Sequence, residues 1–342
     1  MKRALTFSIL VVTLFIIIAF NAVAAIWHVS NVGKNANFTS LTAAHNSEKV
    51  TAGDTLYVYG TSKDYDDLVS SKNLNIIGSG YFLNENQETQ ADTTLSKIGN
   101  ITFNPGSEGS SISGMTISQI YLYCNDITIK RNFISFYRDY QYVIHLHREG
   151  EIQNIIIAQN FISGRRGIDF TFSTNANNII IFNNIITTYS HAIEMSENDH
   201  AIIKNNVING GLSIYNSIFY NNIQMGGGAK LVNSDVKFNL EPPMQDYFGT
   251  INGNKTVDMS TVFVSEGSTD GRYQLAENSP AKNAGDNGID CGVFDGTDPY
   301  ILSGIPMIPT IYYINVPAIA SELSGLPVHI KVKSRNWLLN IN

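Results

Sequence analysis

The sequence predicts an all-β fold, a right-handed parallel β-helix whose coils stack along one axis, with an N-terminal cap and a short C-terminal β extension. The main observation is a phrase that recurs between residues 126 and 239: a polar residue, three or four strand formers, two linking residues, then asparagine and an apolar residue. Its copies close at Asn132, Asn160, Asn184, Asn206, Asn222 and Asn239. These asparagines are 28, 24, 22, 16 and 17 residues apart. A repeat of about two dozen residues built from short β-branched runs is typical of a solenoid.

Composition is the second observation. The chain is 43% hydrophobic but only 15% charged, well below the usual proportion of charged residues. Asparagine, serine, threonine and glycine supply the polarity instead, as suits buried strands joined by tight turns. The net charge of −7 argues against nucleic acid and anionic membrane surfaces as partners. It favours a neutral or cation-bridged ligand.

The first residues have the features of an export signal. Lys2 and Arg3 precede an apolar run, residues 4–20, and the small residues Ala22 and Ala24 flank Val23 as in a cleavage site. The pattern predicts a signal peptide over residues 1–24, hence a secreted or cell-surface protein with no membrane span after cleavage. An uncleaved membrane anchor is the alternative.

The rest of the chain divides into two parts. Residues 25–300 predict the β-helix, including the N-terminal cap, with a strand at Ile26–Val29 and a short helix opening on Thr39 or Ser40. The phrase is lost from about Glu241, which predicts irregular final coils and a C-terminal plug. Residues 301–342 carry two strand-like runs, 310–316 and 328–333, that predict the β extension. We expect a monomer.

The repeat predicts columns of equivalent residues. Parallel strands stack about 4.8 Å apart, so the isoleucines of successive copies would stack inward. Each closing asparagine would occupy a turn, where it tolerates left-handed backbone angles and bonds main-chain groups and its neighbours. The asparagines are therefore predicted to be scaffold.

The copies, with the lead-in from Thr39 to Tyr81, resemble the parallel β-helix repeats of the pectin-lyase-like superfamily over roughly residues 26–300. Residues 273–285 and 290–294 are similar to the closing segment of many secreted bacterial β-helix proteins. The resemblance implies the fold but leaves function open, because this superfamily holds lyases, hydrolases, esterases, epimerases, adhesins and phage spikes.

Specific motifs of the superfamily are mostly missing. The Arg-x-Pro-x-x-Arg stretch and calcium-binding aspartates of pectate lyases do not occur, nor do the polygalacturonase motifs. Residues 167–176 are similar to the pectin-methylesterase stretch whose nucleophile would be Asp169, but the companion motifs are lacking. A lyase of another group needs only a base beside a cation, and His145, His147 or Arg166 would serve. Calcium stays open as a cofactor, and no metal ligands are predicted.

A second set of strands lies between the copies. Successive side chains of a strand point to opposite faces, and the alternation in these strands predicts ten side chains that point inward. They are Ile120, Ile144, Ile168, Ile193 and Leu212, together with Leu122, Leu146, Phe170, Met195 and Ile214. One outward column then reads Tyr121, His145, Asp169, Glu194, Ser213, and the next reads Tyr123, His147, Thr171, Ser196, Tyr215. Arg148, Arg165, Arg166 and His191 flank these strands.

Titratable groups converge on the first column. On adjacent coils about 5 Å apart, Asp169 and Glu194 would repel by roughly 3 kcal/mol at an effective dielectric near 20. This is worth about two pKa units unless a cation offsets it, and such a pair suits acid–base chemistry or cation binding. The predicted catalytic residues are His145, Asp169 and Glu194. The predicted substrate-binding residues are Tyr121, Tyr123, His147, Arg165, Arg166, His191 and Tyr215.

Two functions fit these residues. The first is an exported protein that binds, and as a polysaccharide lyase or glycoside hydrolase cleaves, an extracellular polysaccharide along this column. The alternative is a non-catalytic surface or adhesive protein, and the column is then only a binding surface or a solvated face that prevents association between sheets. Cys124 and Cys291 are interpreted as two buried thiols, with a disulfide and a metal or catalytic role as alternatives.

Overall fold

The computed structural model describes residues 24–33, 35–138, 140–146, 150–172, 175–244, 246–317 and 325–334. Their architecture is a nearly all-β solenoid of parallel strands, which confirms the predicted parallel β-helix. Residues 1–23 of the predicted signal peptide, His147 and Arg148 lie outside this part. Within it, no helix has the length and apolar character needed to cross a membrane.

Short strands follow one another with little helix between them. Numbered in chain order, the elements are β1 (Ile26–Val29), α1 (Leu41–Asn46), β2 (Thr55–Val58), β3 (Leu68–Ser70), β4 (Asn75–Ile77), β5 (Lys97–Phe103), β6 (Ser111–Ser113), β7 (Thr116–Leu122), β8 (Ile127–Lys130), β9 (Phe133–Phe136), β10 (Tyr142–Leu146), β11 (Glu151–Ala158), β12 (Phe161–Gly164), β13 (Arg166–Asp169), β14 (Asn175–Phe182), β15 (Ile185–Glu194), β16 (Ala201–Lys204), β17 (Val207–Tyr215), β18 (Ile218–Tyr220), β19 (Ile223–Gly226), β20 (Ala229–Val232), β21 (Asp235–Lys237), β22 (Leu240–Glu241), β23 (Lys255–Thr256), β24 (Thr310–Asn315) and β25 (His329–Lys333). Single 3₁₀ turns lie at Met259–Thr261, Gly271–Tyr273, Asp286–Gly288 and Leu302–Gly304.

In the described coils, the strands line three faces. Face 1 is a ten-stranded parallel sheet of β1, β2, β4, β6, β8, β11, β14, β16, β18 and β21. The other two faces belong to one larger sheet, because β5, β7, β15 and β17 bend around the corner between them. Face 2 contains their first halves with β9, β12, β19, β22 and β23. Face 3 contains their second halves with β3, β10, β13 and β20.

The interior consists of stacked aliphatic columns. On face 3, Ile120, Ile144 and Ile168 pair in register and are fully buried. The other side chains predicted to point inward on this face are buried as well: Leu122, Leu146, Phe170, Ile193, Met195, Leu212 and Ile214. Burial of one such side chain contributes roughly 1.5–3 kcal/mol. The interior therefore fixes the register that positions the outer residues.

The asparagines form a continuous buried ladder. Asn160, for example, donates its backbone N–H and its side-chain Nδ2–H to Oδ1 of Asn184, at 2.9 and 3.0 Å. Its Nδ2 also donates to the carbonyl of Ile129 at 2.9 Å. The ladder members, in order, are Asn132, Asn160, Asn184, Asn206, Asn222, Asn239 and Asn254. Asn254 extends the ladder beyond the six predicted copies.

One detail of the predicted turn was wrong. The ladder asparagines are not among the residues with positive φ. The left-handed position is the residue just before each, and in six coils its φ lies between 53° and 58°: Arg131, Gln159, Asn183, Asn205, Asn221 and Phe238. Since this residue makes the turn, the asparagine that follows is free to direct its amide along the ladder.

A long segment packs on the outside of face 2. We call residues 257–305 the strap. The apolar residues that follow the first six ladder asparagines form an apolar cluster with the strap, separate from the interior. Its members are Phe133, Phe161, Ile185, Val207, Ile223 and Leu240 on the coils, and Val262, Phe263, Ala281, Ala284, Cys291, Val293 and Tyr300 on the strap. The sequence predicted irregular final coils and a C-terminal plug from about Glu241 to Phe294. Within this stretch Phe248 packs against Phe219 in the interior core, whereas the strap lies on the outside of face 2.

Hydrogen bonds show the direction of the strap. The amide of Asp286 donates to Oδ1 of Asn221 at 2.8 Å. Farther along the strap, Asn183 Nδ2 donates to the carbonyl of Val293 at 2.7 Å. Gln159 Nε2 donates to the carbonyl of Asp298 at 2.8 Å. The strap therefore runs back toward the N-terminal coils as its residue numbers rise.

The ends of the fold agree with the sequence. Helix α1 begins after Ser40, whose hydroxyl accepts the amide N–H of Ala43 at 3.0 Å. Strands β24 and β25 pair with each other as an antiparallel sheet. Cys124 and Cys291 are buried thiols that form no disulfide.

Candidate functional site

The predicted outward column lies in register on face 3. His145 pairs with Tyr121 on one side and with Asp169 on the other. Asp169 pairs with Glu194, and Glu194 with Ser213. We call these five residues the outer column. The interior isoleucines place them, because each lies one residue after an inward aliphatic side chain.

His145 and Asp169 form the buried part of the outer column. The imidazole stacks on the ring of Tyr121, with centroids 4.6 Å apart and planes 8° apart. Its Nε2 lies 2.8 Å from the carbonyl oxygen of Tyr142, which identifies Nε2 as a hydrogen-bond donor. Nδ1 then faces Asp169 and lies 3.9 Å from Oδ2. The imidazole nitrogen and the carboxylate oxygen are near neighbours, but they are too far apart for a direct hydrogen bond.

The carboxylate of Asp169 has an unusual environment. It is fully buried although it points away from the interior. Its Oδ1 accepts the amide and the hydroxyl of Thr171 at 2.9 and 2.7 Å, whereas Oδ2 accepts no hydrogen bond from a described residue. An unsatisfied buried acceptor costs about 1–3 kcal/mol and needs an explanation. A solvated face that only disperses charge does not provide one.

Glu194 belongs to a second network. The hydroxyl of Tyr142 donates to Glu194 Oε2 and accepts from Arg166 Nη1, the latter at 3.1 Å. The guanidinium of Arg166 also lies over the ring of Tyr142, 5.1 Å from its centroid. His191 Nδ1 is 3.8 Å from the same carboxylate oxygen and 3.0 Å from the Ser190 hydroxyl. One arginine, one tyrosine and one histidine thus surround the second carboxyl group.

Burial sets the protonation of this network. It raises the pKa of Glu194 above its ordinary value. Repulsion by Asp169 was the expected cause of such a shift, but its cause is burial. Burial, followed by the nearby charge of Arg166, lowers the pKa of His191. Glu194 therefore keeps its proton to higher pH than an exposed carboxyl, and His191 loses its proton at lower pH than an exposed imidazole.

One N–H group of the Arg166 guanidinium has no hydrogen-bond acceptor among the described residues. Its Nε is buried and donates to no described residue. The buried donor of Arg166 and the buried acceptor of Asp169 come from the same strand, β13, three residues apart.

Exposed tyrosines surround the corner between faces 2 and 3. Tyr137, Tyr140 and Tyr189 are 60%, 66% and 85% exposed, and the rings of Tyr137 and Tyr189 meet edge to face at 6.2 Å. Arg165 lies over the ring of Tyr140, 4.9 Å from its centroid. The sequence analysis did not select these tyrosines or Tyr142. The signal was the aromatic run between Phe136 and Tyr142.

The residues that were predicted to bind substrate do not all lie beside the carboxyl groups of the outer column. Arg165, Arg166 and His191 flank the outer column as expected. Tyr123 follows the strand that carries Tyr121. The hydroxyl of Tyr215 accepts Lys230 Nζ at 2.7 Å, on the side of Ser213 away from Glu194. No group of three or more His, Cys, Asp or Glu side chains in the described part of the chain is placed to hold a metal ion.

Comparisons with known proteins give no relative. The chain matches no family profile, no curated protein and no solved structure. Its placement therefore depends on the structure itself, which is a parallel β-helix solenoid with one cluster of linked titratable groups on face 3.

Proposed function

We propose that the protein is exported, that it binds an extracellular polysaccharide along face 3 and that it cleaves this polysaccharide by acid–base catalysis. The observation that carries the proposal is the buried carboxylate of Asp169. It lies in register between His145 and Glu194, and its Oδ2 receives no hydrogen bond from a described residue. We also propose that the solenoid belongs with the pectin-lyase-like superfamily, on the repeat and closing segment described above.

The two networks suggest a division of labour. In the proposed mechanism Glu194 is the acid, because burial raises its pKa, and it protonates the oxygen that leaves the broken glycosidic bond. The Asp169–His145 pair is the base. It takes a proton either from a sugar carbon, as in a lyase, or from water, as in a hydrolase. Arg165, Arg166 and the exposed tyrosines bind the chain on either side. No metal takes part in this scheme.

The exposed tyrosines also support the second candidate function, a non-catalytic surface or adhesive protein. Aromatic rings with a polar edge supply contact area to a sugar whether or not a bond is broken. In that case the polysaccharide would bind across Tyr137, Tyr140 and Tyr189 without turnover.

A glycan panel distinguishes the two functions. Products are followed by the absorbance of unsaturated sugars, which reports a lyase, and by new reducing ends, which report any cleavage. We expect Asp169→Asn and Glu194→Gln each to lower kcat by about 10²–10⁴-fold, a typical contribution of one acid or base. Glu197→Gln is the matched control, since this exposed glutamate lies three residues beyond Glu194.

Two outcomes would count against catalysis. Binding without turnover by the wild-type protein, across the panel, would favour the adhesive function. Full turnover by the double variant Asp169→Ala, Glu194→Ala would exclude the proposed site. Circular dichroism and the unfolding midpoint show whether a variant that has lost activity has kept the fold.

Activity should also depend on pH in a defined direction. Glu194 must be protonated to act as the acid, so activity should fall as pH rises through its raised pKa. In Glu194→Gln this alkaline decline should disappear from the residual activity, because the amide does not titrate. A kcat–pH profile of both proteins checks this. An unchanged alkaline decline in Glu194→Gln would assign it to another group.

A further inference from the structure

A buried carboxylate lies at the first coil, far in sequence from the outer column. Asp54 is 2% exposed and directly precedes β2. Its Oδ2 accepts the amide N–H of Thr51 and the indole N–H of Trp27, both at 2.8 Å. Its Oδ1 accepts the backbone N–H of Ala25, also at 2.8 Å. The carboxylate thus ties the very start of β1 to the next coil.

Asp54 carries a charge that no side chain in the described part of the chain balances. Burial raises its pKa, but the hydrogen bonds from Thr51, Ala25 and Trp27 outweigh burial, and the net pKa lies below its ordinary value. Asp54 is therefore ionised. Lysine, arginine and histidine side chains in the described ranges make no ion pair with it. A buried carboxylate without a counter-charge is costly, even when hydrogen bonds reduce the cost.

Ala25, whose backbone N–H donates to Oδ1 of Asp54, lies at the predicted cleavage site of the signal peptide. Ala25 directly follows Ala22-Val23-Ala24, the small-x-small pattern that predicts cleavage of the signal peptide. The carbonyl of Ala25 accepts the amide of Thr55 at 2.8 Å, so both main-chain polar atoms of this residue are fixed by the neighbouring coil. The backbone nitrogen of Ala25 thus belongs to the peptide bond that is expected to be cleaved, and it also donates to the carboxylate of Asp54.

We propose that cleavage between Ala24 and Ala25 turns this nitrogen into the counter-ion of Asp54, so that the Asp54 site is the receptor for the N-terminus of the mature protein. Water and a signal peptidase split the amide bond. The acyl carbon of Ala24 takes the hydroxyl and leaves as a carboxylate, and the nitrogen of Ala25 becomes an ammonium. An N–H···O⁻ bond is thereby replaced by an N⁺–H···O⁻ bond, which adds the Coulomb attraction between opposite charges. The cut itself depends on the export proposed above, but the pairing does not.

Purified chains test the pairing directly. One chain begins at Ala25 and another at Ala22, each released from a cleavable fusion and each made with Asp54 and with Asp54→Asn. With Asp54 present, the chain that begins at Ala25 should unfold about 2–6 °C higher. This difference should vanish in Asp54→Asn. Asp64→Asn, at an exposed carboxylate paired with Lys97, should leave it unchanged. Equal effects of Asp54→Asn on both chains would overturn the pairing.

Reactivity of the terminal amine gives a second readout. The groups that face Asp54 are the amides of Ala25 and Thr51 and the indole of Trp27, none of which titrates near neutrality. An ammonium held by Asp54 should therefore react with an acylating reagent at pH 7 about tenfold more slowly than in Asp54→Asn, the change that one pKa unit produces. Equal labelling rates would contradict the proposal.

N-terminal sequencing of the exported protein tests the cut. A first residue at Ala25 supports the assignment, and any other first residue overturns it. Coupling between Asp54 and the free amine in the purified chains would support the pairing even if export itself failed. Export and pairing can therefore fail separately, and neither result depends on polysaccharide cleavage.

Discussion

Asn184→Ala is expected to lower the free energy of unfolding by about 3–5 kcal/mol, because it interrupts the asparagine ladder at its centre. The side chain donates from Nδ2 to the carbonyl of Ile157 at 2.8 Å and to Oδ1 of Asn206 at 3.0 Å. Its Oδ1 accepts the backbone and side-chain N–H groups of Asn160. Alanine would leave several of these buried groups without a partner, each at a cost of about 1–3 kcal/mol before the coils relax.

Denaturant titration followed by circular dichroism measures this loss. Asn209→Ala is the matched control, because Asn209 is exposed and lies in the next coil, and a surface change of this kind should stay within about 0.5 kcal/mol. A loss below about 1 kcal/mol at Asn184 would mean that the ladder is incidental to stability.

Asp270→Ala should release the strap, at a cost of about 3–5 kcal/mol, because several buried donors would lose their acceptor at about 1–3 kcal/mol each. Asp270 is fully buried. Its Oδ2 accepts the amide of Ser303 at 2.7 Å and the hydroxyl of Tyr300 at 3.3 Å, and its Oδ1 accepts Asn86 Nδ2 at 2.9 Å. Since Asn86 belongs to an early coil, this one carboxylate joins the strap to the N-terminal part of the solenoid.

Hydrogen exchange locates the expected effect. In Asp270→Ala the amides of Tyr300 and Ser303 should lose protection before those of the ladder asparagines, because the strap can open while the coils stay stacked. Asp235→Ala is the control, since its ion pair with Lys237 is partly exposed and such pairs contribute little. Simultaneous loss of protection in the strap and the ladder would contradict a separately opening strap.

The repeat made the solenoid and the outer column predictable. Strand periodicity alone decides which side chains point inward, so Ile144 and Ile168 also determine that His145 and Asp169 share a column. The phrase could not show that Asp169 is buried, because exposure depends on what covers a strand. For the same reason a raised pKa of Glu194 was predicted from repulsion between carboxylates, whereas burial is its cause.

The strap was missed because nothing in it repeats. Its residues form turns and short 3₁₀ segments, and they gain stability from contacts more than a hundred residues away, such as that of Val293 with Asn183. A signal was nevertheless present. The residue after each ladder asparagine is apolar in all six copies, which indicates an outer surface that something must cover.

The strap also bears on how this chain can change in length. Solenoids commonly gain or lose repeats by duplication or deletion, because each repeat contacts only its neighbours. Here the side chains of Gln159, Asn183 and Asn221, in three different coils, bond successive points of one segment. An inserted coil would separate these points by about 4.8 Å more, and the strap would lose its register unless it lengthened at the same time. The number of coils is thus held constant by a segment that is not itself a repeat.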